Sequence, residues 1–122
     1  MTRNLEWWQG LCATIDAKDT DRFIHHLADG CEFRFGNGPS VIGHEAIGAA
    51  VDAFWASIRA SEHHVTDCWS GADSAACEGT CTYTRHDGST ITLPFVDVLH
   101  FRGDKAVKYC IYMDVGPLYG SV

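Results

Sequence analysis

The chain has 122 residues, 46% of them hydrophobic, with 9 Lys and Arg against 16 Asp and Glu for a formal charge of −7. That length suits a single domain, residues 1–122, and leaves no room for two. The acidic balance repels phosphate backbones and argues against nucleic acid. The basic residues are too scattered to hold an anionic membrane surface, and no stretch approaches the roughly 20 apolar residues of a membrane span. The segment Met1-Thr2-Arg3-Asn4-Leu5-Glu6-Trp7-Trp8 lacks the apolar run of a signal peptide, so a cytoplasmic location is expected.

In chain order, Trp7, Trp8, Leu11, Cys12 and Ile15 recur at helical spacing and predict a helix over 4–17. Asp19-Thr20-Asp21 supplies a break and a new N-cap, and a second helix runs to about Ala28, stopped by Asp29-Gly30. Residues 31–35 alternate like a short strand, and Gly36-Asn37-Gly38-Pro39-Ser40 reads as a loop. Ala46, Ile47, Ala50, Phe54 and Ile58 give a third helix its stripe over about 43–60. The second half changes period: 64–70, 75–85, 90–101 and 106–115 read as strands, with Asp87-Gly88 a two-residue hairpin signal. Helices first and a meander after predict an α+β fold, three helices against a curved antiparallel sheet. The strand 90–101 is apolar on both faces. The helices cover one, and a second copy of the chain is the expected cover for the other, giving a homodimer through the outer face.

The six cysteines, Cys12, Cys31, Cys68, Cys77, Cys81 and Cys110, sit among apolar neighbours and match no zinc spacing; they read as small core residues. Neighbouring histidines such as His63 and His64 point to opposite faces of a strand, so no metal site is expected, and no phosphate loop or dinucleotide motif calls for a cofactor.

The chemistry concentrates on one strand. On the face carrying Ile91, Leu93, Phe95, Asp97, Leu99 and Phe101, Asp97 is the single polar residue. Desolvation there favours the neutral acid and marks a candidate catalytic group. If Asp87-Gly88 is the turn, Glu78 opposes Asp97, and two adjacent carboxylates would share a proton. If Gly103-Asp104 turns the next hairpin, Cys110 opposes Asp97, Tyr112 opposes Phe95 and Asp114 follows on the same face. A slip of one residue in either hairpin moves its outer strand to the other face. The expected catalytic set is therefore Asp97, Asp114 and Glu78. Binding positions are Tyr112, His64, Asn37, Trp8, Phe35, Trp55 and Cys110, around a small apolar or cyclic ligand.

The element order, together with Ile15-Asp16-Ala17-Lys18-Asp19, Leu27-Ala28-Asp29-Gly30, Ile42-Gly43-His44-Glu45-Ala46-Ile47 and Tyr109-Cys110-Ile111-Tyr112-Met113-Asp114, resembles the nuclear transport factor 2-like superfamily, and within it the SnoaL-like branch. The resemblance implies a cone-shaped, cystatin-like α+β barrel with a pocket between helices and sheet, and a dimer through the sheet's outer face. Asp97-Val98-Leu99-His100-Phe101 is similar to the oxyanion-hole segment of ketosteroid isomerase, although Leu11 and Phe35 stand near that enzyme's Tyr and base. Asp114 looks like the last-strand Asp of limonene epoxide hydrolase and of SnoaL-type polyketide cyclases. Two functions fit: a cofactor-independent isomerase, cyclase or hydrolase, or a non-catalytic binding or dimerisation module.

Overall fold

The structure, a computed structural model, describes residues 3–120. Helix α1 spans Leu5–Asp16 and is capped by Asn4, whose side chain accepts from the Trp7 N–H at 3.0 Å. It buries Trp8, Leu11 and Cys12. Asp19 caps α2, Thr20–His25, in the same way. The helix stops short of the expected Ala28 because tertiary pairing takes the chain over. The Ala106 N–H donates to the His26 carbonyl, and Leu27 already pairs with Ala106 as β1, Leu27–Phe35, begins. A two-residue strand β2, Val41–Ile42, pairs back onto β1. Helix α3, His44–Ala56, also ends earlier than expected, because Ala60 is already paired with Thr84.

Strands β3 (Ala60–Ser70), β4 (Ser74–Thr84), β5 (Thr90–Arg102) and β6 (Lys105–Tyr112) form the expected meander, in a six-stranded sheet of order β2-β1-β6-β5-β4-β3. The sheet is mixed, because β1 runs parallel to β6. Helix α3 carries the chain from the β1 edge to the far edge, so the meander returns beside β1 in β1's own direction. A short 3₁₀ helix, Gly116–Tyr119, follows, and Arg85 holds it by donating to the carbonyls of Leu118 (2.7 Å) and Pro117 (3.0 Å). Among the described residues, no helix is long and apolar enough to cross a membrane.

Both hairpins differ from expectation by one residue. The β4–β5 loop is closed by Arg85 and Ser89 and has three residues between them, with Gly88 at φ +89° taking the left-handed position. Asp97 therefore opposes Cys77, and Glu78 opposes Val96 on the other face. In the β5–β6 hairpin Phe101 does oppose Ala106, but a bulge between the Phe101 and His100 pairs shifts the rest. Asp97 opposes Ile111 and Leu99 opposes Tyr109, while Cys110 and Tyr112 pair with Val98 and Val96 on the outer face.

A second bulge, in β3 between Val65 and Asp67, depends on Gly79 across the ladder. A Cβ at Gly79 would lie 2.0 Å from the His64 carbonyl oxygen and 2.9 Å from the Val65 Cα, both backbone atoms that cannot swing aside. Gly79→Ala is expected to cost about 3 kcal/mol, at the upper end of overpacking effects, read from the urea unfolding midpoint. An unchanged midpoint would show that the strands can part there cheaply.

Candidate functional site

Between the helices and the sheet lies a cavity of ≈ 40 Å³, space for about three water molecules. Its walls are mostly rings: Phe23, Phe33, Phe54, Trp55 and Phe95, with Phe35 against Phe54 edge to face at 4.7 Å. Helix α3 supplies Phe54 and Trp55, α2 supplies Phe23, and β1 supplies Phe33 and Phe35. Phe35 and Phe54 are only half-buried, as are Ile15, Ser61, His63 and Ile111 of the same lining. The polar groups in the lining are Ser61, His63, Tyr83, Asp97 and Tyr109.

Asp16, the last residue of α1, reaches β3 at three points. It accepts from the His63 imidazole Nδ1 at 2.6 Å, the His63 backbone N–H at 2.9 Å and the Ser61 hydroxyl at 2.7 Å. Burial opposes charge on both partners. For His63 that opposition is outweighed by the hydrogen bonds to Asp16 and Cys81 and by the neighbouring negative charge, and the imidazole is pushed up to about 10. For Asp16 the bonds from His63 and Ser61 win over burial, and the carboxyl is held below its ordinary range. At neutral pH the pair is a carboxylate and an imidazolium. Nδ1 is taken by Asp16, so Nε2 is the nitrogen left to meet a ligand.

Asp97 stands in the same cavity, 4% exposed. Burial pushes its carboxyl up, His63 pulls it back, and it settles at about 7. Its Oδ1 has no hydrogen-bond partner, and neither does the hydroxyl of Tyr109, which is buried in the same lining. Burial and the charge of Asp97 hold the Tyr109 phenol well above its ordinary range, so it is a permanent O–H donor. Buried polar groups are nearly always paired, and two unpaired ones facing one cavity mark where a polar atom of a guest would sit. Tyr83, by contrast, has its hydroxyl on the Met113 sulfur at 3.4 Å.

Of the positions singled out in the sequence, the structure brings Asp97, Phe35 and Trp55 to the cavity. The others lie elsewhere. Glu78, Tyr112 and Cys110 are on the outer face through the one-residue shifts above. Asp114 is exposed and accepts from the Gly116 N–H at 3.0 Å, capping the turn. His64 is exposed on the outer face, and its neighbour His63 points inward instead. Asn37 is exposed in its loop, and Trp8 is a fully buried core residue outside the cavity lining. His63, Asp16 and Tyr109 were missed. An isolated Gly79 inside a strand pattern was the available sign of a bulge that sets the facing of β3. Among the described residues no cluster of three or more His, Cys, Asp or Glu could hold a metal ion.

Several solved structures share this architecture. A protein of unknown function with the nuclear transport factor 2-like fold from Burkholderia pseudomallei superposes with a TM-score of 0.84 at 18% identity, covering 97% of this chain and 95% of that one. TerC, crystallised with polyporic acid, gives 0.82 at 19% identity, with 97% and 96% covered. A candidate polyketide cyclase from Xanthomonas campestris pv. campestris gives 0.81 at 16%, with 91% and 90% covered. At these identities the likeness shows the fold alone. No curated protein matches the sequence. The SnoaL-like domain profile matches residues 8–109, more than half of the chain. The chain belongs to the SnoaL-like family.

Proposed function

We propose that this protein is a cofactor-independent acid–base enzyme of the cyclase or isomerase kind, acting on a small, largely apolar, ring-bearing molecule with oxygen functions. The observation that carries this reading is the pair of unpartnered buried groups, Asp97 Oδ1 and the Tyr109 hydroxyl, in an apolar cavity beside the His63–Asp16 ion pair. A group titrating near 7 is suited to take and return a proton at neutral pH, which fits Asp97. His63, held near 10, keeps its charge throughout and stabilises negative charge on a substrate oxygen, with Tyr109 as a second donor. Asp97 takes a proton from the carbon next to a carbonyl and the electron pair moves to the oxygen facing Tyr109 and His63. The enolate then either accepts the proton back at another carbon or attacks a second carbonyl, whose oxygen takes the proton from Asp97. The fold shared with a candidate polyketide cyclase and with TerC, crystallised with polyporic acid, supports this substrate class.

One observation favours a second reading, a non-catalytic binding module: the cavity is only ≈ 40 Å³ and must widen before any ring can enter. Binding of 1-naphthol and naphthalene to wild type and Tyr109→Phe, followed by two-dimensional NMR, tests the oxygen site. Wild type is expected to prefer naphthol about tenfold, the effect of one hydrogen bond to a charged or buried group, and the variant to lose that preference while folding as stably or more so, because an unpaired buried hydroxyl is removed. Binding of neither compound would overturn the small-molecule reading. Equal binding of both with no turnover of any diketone substrate would favour the module.

The outer face supports a homodimer. Trp69 (52% exposed), Ala76, Val98 and Cys110 follow one another in register across β3 to β6, and Val96 and Tyr112 (49% exposed) form the next row. Sedimentation at micromolar concentration is expected to give a dimer, and Trp69→Glu a monomer. A wild-type monomer would remove the proposal.

A further inference from the structure

We propose that Cys68 and Cys77 form a reversible disulfide across β3 and β4, a redox-modification site next to Asp97. The two cysteines are direct register partners. In the hairpin that joins these strands, the Gly71 N–H donates to the Ser74 carbonyl at 2.8 Å, so Gly71 and Ser74 are a hydrogen-bonded pair. Bonded and non-bonded pairs alternate along an antiparallel ladder. Counting back from Gly71 and Ser74, Ser70 with Ala75 is non-bonded, Trp69 with Ala76 is bonded, and Cys68 with Cys77 is again non-bonded. In non-bonded pairs the Cα atoms stand about 4.5 Å apart with side chains on one face. That lies inside the window of about 4.4–6.8 Å that a disulfide spans.

The two thiols differ in access. Cys68 is half-buried and reachable, whereas Cys77 is fully buried, and burial together with Asp97 holds its thiol protonated. A peroxide therefore meets Cys68 first. Its sulfur attacks one peroxide oxygen, the O–O bond breaks, and Cys68 becomes a sulfenic acid with release of water. The Cys77 sulfur then displaces the hydroxyl, its thiol proton leaves with it as a second water, and the S–S bond forms. Two thiols are oxidised and one peroxide is reduced to two waters. The other cysteines have no such partner: Cys31 and Cys110 are not paired in register, and Cys81 opposes His63. Cys12 lies near Cys77 from α1 and is the one competitor.

The bond would have a consequence for the cavity. Cys77 is also the register partner of Asp97, and β3 carries His63. Closing the disulfide ties the strand of the imidazolium to the neighbour of the acid and removes the S–H beside it.

The folded, reduced protein is exposed to excess hydrogen peroxide and then analysed by intact mass and peptide mapping. Two of the six thiols are expected to disappear, with a mass lower by two hydrogens, one bridged peptide joining Cys68 to Cys77, and full reversal by dithiothreitol. Higher oxidation of Cys68 with Cys77 still free, or a bridge from Cys77 to Cys12, would overturn the proposal. Cys68→Ser, a change at a half-buried position, is expected to keep all its remaining thiols under the same treatment. Paired loss of thiols in that variant would overturn it equally.

Discussion

Replacing Asp97 with Asn is expected to stabilise the protein at neutral and alkaline pH while abolishing turnover. The carboxyl has an ordinary value of 3.8 when the chain is unfolded and about 7 when folded. Folding disfavours its ionised form, so stability is intact below 3.8 and is lost as pH rises through the interval up to 7. At about 1.4 kcal/mol for each pH unit the loss totals about 4 kcal/mol, a large part of the roughly 5–15 kcal/mol that holds a domain together. Asp97 is 4% exposed, so solvent does not screen this cost away. Asn has the same shape and no charge at any pH. Urea unfolding of wild type and variant should therefore coincide near pH 4 and diverge steadily to about pH 7, with the variant the more stable. A difference that stays flat with pH would mean that Asp97 titrates normally and is no proton-transfer group. The expected result also explains why a costly acid sits in this core: what the fold loses at this position, the proposed chemistry uses.

Much of the architecture could be read from the residues, and the reason lies in what each signal measures. Period 3.6 in the first half and period 2 in the second reported the three helices and the meander, and the lone polar residue on an apolar strand face reported Asp97. What stayed hidden was decided by single residues. The three-residue loop His86-Asp87-Gly88, in place of a two-residue turn, moved Glu78 to the outer face, and the bulge between the Phe101 and His100 pairs exchanged Tyr112 for Tyr109. The bulge opposite Gly79 accompanies the facing that points His63 inward and His64 out. Asp16 was invisible for another reason. At the end of an amphipathic helix a carboxylate looks like ordinary surface, and only the docking of α1 against β3 turns it onto an imidazole.

That imidazole supplies the second large effect. In Asp16→Asn the charge and the strong acceptor that do most to hold His63 near 10 are gone, and burial is then opposed only by the contact with Cys81. Its titration, followed by NMR of the ring protons, should fall from about 10 toward its ordinary 6.5. In wild type the raised imidazole contributes stability that is complete below 6.5 and is lost as pH rises toward 10. The lowered Asp16 contributes stability that is complete above its ordinary 3.8 and is lost as pH falls below it. The pair is thus at full strength between these ordinary values, and there the variant should be weaker by about 3 kcal/mol, the low end for a broken buried ion pair. The low end applies because the side chains are 11% and 21% exposed. A consequence follows at a residue that Asp16 does not hydrogen-bond. As His63 gives up its proton at lower pH, the positive charge that holds Asp97 down weakens, and Asp97 should titrate above 7. The ascending limb of any pH–rate profile should move to higher pH with it, which a merely structural Asp16 would not cause. If His63 in the variant still titrates near 10, some other group holds its charge, and the proposed division of labour between imidazolium and acid fails.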